Sequence, residues 1–129
     1  MSETNLPRPT DAELAILRVL WRLGEGTVRQ VYDELNAYQP TGYTTVLKMM
    51  QIMTEKGLVR RDESERTHVY EASLPEAETQ KQLVGDLLDR AFSGSARQLV
   101  LQALSVKQAS RKEIAQIRQL LDELEGGAK

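Results

Sequence analysis

The sequence predicts a mainly α protein with one small β-hairpin wing: an N-terminal winged helix-turn-helix followed by a C-terminal helical dimerisation region. Three observations predict it. Two short helices with capping boxes open the chain, a third amphipathic helix stops at Gly57, and a basic two-stranded hairpin follows at once. That order of elements exists mostly to place one helix in a DNA major groove. From Pro75 the pattern is helical to the end, which divides the chain into residues 1–74 and residues 75–129.

Each element has a local cause. Residues 1–9 hold two prolines and little apolar content, the pattern of a loose arm. Thr10, Asp11, Ala12 and Glu13 form a capping box that starts the first helix. Leu14, Leu17, Leu20 and Trp21 follow at helical spacing, with Ile16 and Leu23 widening the stripe, and Gly24 and Gly26 end it. Thr27 to Gln30 repeats the capping box, and Val28, Val31, Tyr32 and Leu35 are the buried face of the second helix. Pro40 and Gly42 mark the turn that follows.

The third helix is expected over residues 43–56. Val46, Met49, Met50 and Met53 are its core face, and Thr44, Thr45, Lys48, Gln51 and Ile52 point the other way. Residues 58–61 and 67–70 read as paired strands around a polar tip at 62–66, with Val59, Val69 and Tyr70 packing beneath the third helix.

Further on, Leu83, Val84, Leu87, Leu88 and Phe92 make one apolar stripe. A break at Ser93, Gly94 and Ser95 precedes a shorter helix carrying Leu99, Val100 and Leu104. Ser110 opens a last helix whose Ile114, Ile117, Leu121 and Leu124 are spaced 3-4-3. Such a seam suits packing against another helix. One reading is an intramolecular core. The other is a homodimer interface, favoured because three short helices beside a small winged unit have little of their own to bury against.

Composition excludes several function classes. The 129-residue chain has no Cys and one His, so disulfides, thiolate metal sites and histidine-rich metal sites are ruled out. No catalytic triad, phosphate-binding glycine loop or paired acid-base carboxylates appear, so neither an enzyme nor a cofactor is expected. No apolar run reaches the roughly 20 residues that cross a bilayer, and no signal peptide is visible at the N-terminus, so a cytoplasmic location without membrane insertion is expected. The net charge is −2, unlike many DNA-binding domains. Its distribution is uneven: from Pro40 to Arg61 four cations face the single carboxylate of Glu55.

The outward face of the third helix is the candidate reader of double-stranded DNA. Thr44, Thr45 and Lys48 lie in its first turns, where Lys48 suits guanine O6 and N7 and threonine suits several bases. Gln51 suits adenine or a phosphate, and Tyr43 a phosphate. Arg60, Arg61, Arg66 and His68 are the wing candidates, for phosphates or, at Arg66, the minor groove. A charged edge strand that prevents aggregation is the alternative there. Thr27 and Arg29 sit at a helix N-terminus, which favours phosphate, although Thr27 also serves as a cap. The methionines of the third helix match core filler better than a ligand pocket.

The segments PTDAELAILRVLW, TVRQVYDEL, YTTVLKMMQIMTEKGLV and HVYEA, with FSGSARQLVLQAL further on, resemble the BlaI/MecI/CopY family of bacterial transcriptional repressors. The resemblance covers almost the whole chain, and its C-terminal third matches mainly in layout. It implies a homodimer on a palindromic operator, repressing genes for β-lactamases, penicillin-binding proteins or copper transporters. It also implies induction either by a regulatory protease cutting the dimerisation region or by copper on a cysteine-rich tail. This chain has no Cys for the copper route, and Gln102-Ala103 stands where the cleaved repressors have Asn-Phe. The rival reading from another class is a winged-helix adaptor that docks protein, which the acidic pI of about 5.5 favours.

Overall fold

The computed structural model describes residues 6–127. The elements run α1 (Asp11–Leu23), α2 (Val28–Asn36), α3 (Tyr43–Lys56), β1 (Val59–Asp62), β2 (Val69–Ala72), α4 (Glu76–Ala91), α5 (Ala96–Val106) and α6 (Arg111–Gly127). Both N-terminal capping boxes form. Thr10 and Thr27 each accept from the backbone N–H of the third helical residue, and Glu13 and Gln30 accept from the cap N–H in return. Gly57 ends α3 at φ 84°, a left-handed conformation that disfavours any side chain. A Cβ there would also meet Leu6 Cδ2 at 3.1 Å.

Contacts divide the chain into two compact units, 1–85 and 86–129. In the first, α1, α2 and α3 enclose an aliphatic core of Ile16, Leu17, Leu20, Val31, Val46, Met50 and Met53, closed from below by Val59 and Tyr70 of the antiparallel β1–β2 hairpin. The boundary of this unit falls within α4. Thr79 is buried, and Gln82 Nε2 donates to the Leu6 carbonyl at 2.8 Å. The indole N–H of Trp21 donates to the Leu74 carbonyl at 2.9 Å, tying the end of α1 to the segment before α4.

Three expectations are corrected. The described part of the arm is packed, not loose: Pro9 is buried and Leu6 lies against the core. Leu23 is exposed, and Val19 takes the buried place instead. The buried arc of α1 is rotated because the helix packs on α2, α3 and β2 together. The strands are 59–62 and 69–72, paired Val59 with Ala72 through Asp62 with Val69, so Thr67 and His68 belong to the loop. The register is set by a contact outside the hairpin. Gly26 N–H donates to the Tyr70 carbonyl at 2.9 Å, and Tyr70 N–H donates to the Gly26 carbonyl at 2.8 Å.

One buried ion pair ties α1 to the end of α3: Lys56 Nζ lies 2.7 Å from Glu13 Oε2, and the Glu13 side chain is 6% exposed. Burial pushes the Glu13 carboxyl up, but the Lys56 hydrogen bond and the Thr10 backbone N–H outweigh it, holding the group below its ordinary value. A lowered folded value means that this contribution is complete above the unfolded value and is lost as pH falls through the folded one. Glu13→Gln should therefore cost about 1–3 kcal/mol at neutral pH, discounted for the solvent around Lys56. The difference from wild type should shrink below about pH 4. Urea unfolding at neutral and acid pH checks this, and a pH-independent difference would contradict it.

In the second unit the pattern changes. Among the described residues 86–127 none is buried. Leu87, Val100, Leu104, Leu121 and Leu124 are all substantially exposed, whereas Leu88, Phe92, Leu99, Ile114 and Ile117 are partly covered. Leu83, in the first unit, is also partly covered. Ser110 Oγ accepts from Glu113 N–H at 3.1 Å and starts α6. No helix among the described residues is long and apolar enough to cross a membrane.

Candidate nucleic-acid interface

The core face of α3 fixes what its other face shows. With Val46, Met50 and Met53 buried, Thr44, Thr45, Lys48 and Gln51 are exposed. Tyr43 begins the helix and packs edge-on against Tyr32 of α2, ring centroids 5.6 Å apart. The Arg29 guanidinium lies 5.7 Å above the Tyr32 ring. This stack fixes the start of α3 relative to the start of α2. Tyr32 was legible only as a core residue, because the edge contact depends on the turn between the helices.

A cleft of about 230 Å³ opens between the start of α2, the start of α3 and the wing. Thr27, Arg29, Tyr43, Arg66, His68 and Tyr70 line it. Thr27 and Gln30 satisfy each other's backbone groups. Helix geometry leaves the N–H groups of Val28 and Arg29 without intrahelical acceptors. The Gly26–Tyr70 bridge holds the wing strand against this helix start.

The cations differ in how far they are already engaged. Arg60 Nη2 lies 3.5 Å from Glu71, its cross-strand partner. Arg61 Nε lies 2.6 Å from Glu63 Oε2. Hydrogen bonding to Tyr70, and then to Glu63, raises the Arg61 guanidinium further above its ordinary value. Arg29 faces Asp33 at 3.4 Å, one turn along. Asp62 accepts the Ser64 N–H at 2.9 Å and closes the loop, which holds its carboxyl low. Lys48 and Arg66 have no ion-pair partner among the described residues. The base of the wing is therefore largely self-neutralised, and the unpaired charge sits on α3 and at the tip.

Residues 9–123 match the family model described as penicillinase repressor. The chain belongs to the penicillinase repressor family. It is a winged-helix transcriptional repressor that binds DNA, and not an enzyme. It is 34% identical over 123 residues to the transcriptional regulator BlaI of Mycobacterium tuberculosis, covering 95% of this chain and 88% of that protein. It is 26% identical over 118 residues to the penicillinase repressor of Bacillus licheniformis, covering 92% of each. The solution structure of monomeric Bacillus licheniformis BlaI with the blaP half-operator superposes with a TM-score of 0.50, at 24% identity. It covers 57% of this chain and 90% of that one, and the likeness concerns the fold.

Proposed function

We propose that this repressor acts as a homodimer on a palindromic operator, with α3 of each protomer in a major groove. The carrying observation is the exposed face of α3, where Lys48 stands without an ion-pair partner between Thr44, Thr45 and Gln51. Helix-borne Lys donates to guanine, and threonine and glutamine suit several base edges. A structural neighbour with the same fold, monomeric Bacillus licheniformis BlaI, was solved in complex with the blaP half-operator, which supports operator binding.

The cleft between α2 and the wing suits one backbone phosphate. Arg29, Tyr43, Arg66 and His68 line it beside the N–H groups that open α2. Arg60 and Arg61, already paired, serve mainly to orient the wing. Arg66→Ala should weaken operator and random DNA by the same factor and lower the salt slope by about 0.9. Anisotropy titrations at several salt concentrations check it. A loss confined to the operator would place Arg66 at a base edge instead.

Residues 1–74 carry DNA binding and residues 75–129 carry dimerisation in this reading. Its support is the second unit, none of whose described residues is fully buried within one chain. Genes for β-lactamases or related resistance functions are the proposed targets, in the cytoplasm. A regulatory protease would act in the dimerisation region, although Gln102-Ala103 replaces the family's cleavage pair. The test is footprinting on DNA upstream of the protein's own gene, with a salt series. A protected palindrome with a steep salt slope is expected. Binding no better than random DNA, at this promoter and in a genome-wide selection, would favour the adaptor reading.

A further inference from the structure

Between α1, the turn at residues 38–41 and α3 runs an open groove of about 540 Å³. That volume is in the range of small-molecule sites. Its floor is apolar, formed by Ala12, Ala15, Ile16 and Val19 from α1 and Met49 from α3. Ala12 and Ala15 leave the space, since their side chains end at Cβ. Its rim is cationic: Arg18 and Arg22 stand one turn apart on α1, and no carboxylate lines the groove. Arg22 is ion-paired with Glu34, whereas Arg18 has no ion-pair partner among the described residues. With Arg22 neutralised by Glu34, Arg18 is the one unpaired charge on a lining that holds no carboxylate, and it favours an anion there.

The groove shares a wall with the DNA-facing helix. Thr45 lines it and also belongs to the exposed face of α3. We propose that the groove binds a small amphipathic organic anion, a carboxylate on a compact aromatic or aliphatic body, and that occupancy weakens operator binding. Arg18 takes the carboxylate, since guanidinium matches that group in two parallel hydrogen bonds. The apolar body lies on the alanines and Met49. A bound anion adds negative charge beside Thr45, where a phosphate backbone would approach, so ligand and DNA oppose each other's binding reciprocally. The regulatory half rests on the repressor reading above.

The test uses the full chain with methyl-labelled side chains. The probes are 3-phenylpropionate, salicylate and octanoate, each beside its uncharged primary amide. Expected are shifts of the Ile16, Val19 and Met49 methyl signals with at least one acid and not with its amide. Arg18→Gln should weaken them, and Ala15→Leu, which fills the floor, should abolish them. Operator affinity should fall about fivefold or more with saturating acid in wild type and stay unchanged in Ala15→Leu. No shift at those methyls, or equal shifts with the amides, overturns the site. Shifts without any loss of operator affinity overturn the coupling. Failure to bind the operator before any probe is added counts against the repressor reading and leaves the groove to be judged by the methyl signals alone.

Discussion

If the proposed homodimer forms through α6, Leu121→Asp should yield a monomer that keeps its winged-helix unit and loses operator affinity by about 10²–10⁴-fold. Leu121 is 58% exposed in the single chain, so an aspartate there removes no intrachain packing. It lies in the 3-4-3 seam of α6, where the carboxylate of each protomer would be forced into an apolar helix–helix contact without a partner. Two linked modules bind the second half-site at high effective concentration, and a monomer forfeits that gain. Sedimentation velocity reports the association state, and anisotropy on whole and half operators reports the affinity. The half-operator affinity should match that of the wild type. A dimer that persists at micromolar concentration would move the interface away from α6.

Lys48→Ala should cost about 1–3 kcal/mol at the operator, roughly 5–150-fold, and much less on random DNA. The side chain is exposed on α3 and makes no ion pair among the described residues. Its removal should leave thermal stability unchanged, so a loss of binding reads directly as a lost DNA contact. Competition with random DNA at fixed salt separates base reading from charge neutralisation. Equal losses on both DNAs would reassign Lys48 to a phosphate.

What was legible in the sequence follows from how local each cause is. The bounds of α3 were readable because a glycine closes it and the apolar period over Val46, Met50 and Met53 is regular. The capping boxes of α1 and α2 act within four residues. The hairpin register was misread because the Gly26–Tyr70 bridge, which fixes where β2 begins, joins residues far apart in the chain. The same register decides that Glu71 faces Arg60, which removes part of the wing's charge. Val19 was overlooked in α1 because a single stripe cannot describe a helix covered from three directions. The outward face of α3 was readable as the complement of a core face. The cleft that joins Thr27, Arg29, Arg66 and His68 needed the fold to bring them together.

The one tryptophan of the chain closes α1 and donates to the Leu74 carbonyl, at the point where the hairpin gives way to α4. The molecule thus carries an intrinsic fluorophore where the end of α1 meets the segment that follows the hairpin. Any event that pulls Leu74 away from the end of α1 must break that indole hydrogen bond. Steady-state emission of unlabelled protein would follow such an opening in real time, during DNA loading, without any engineered dye.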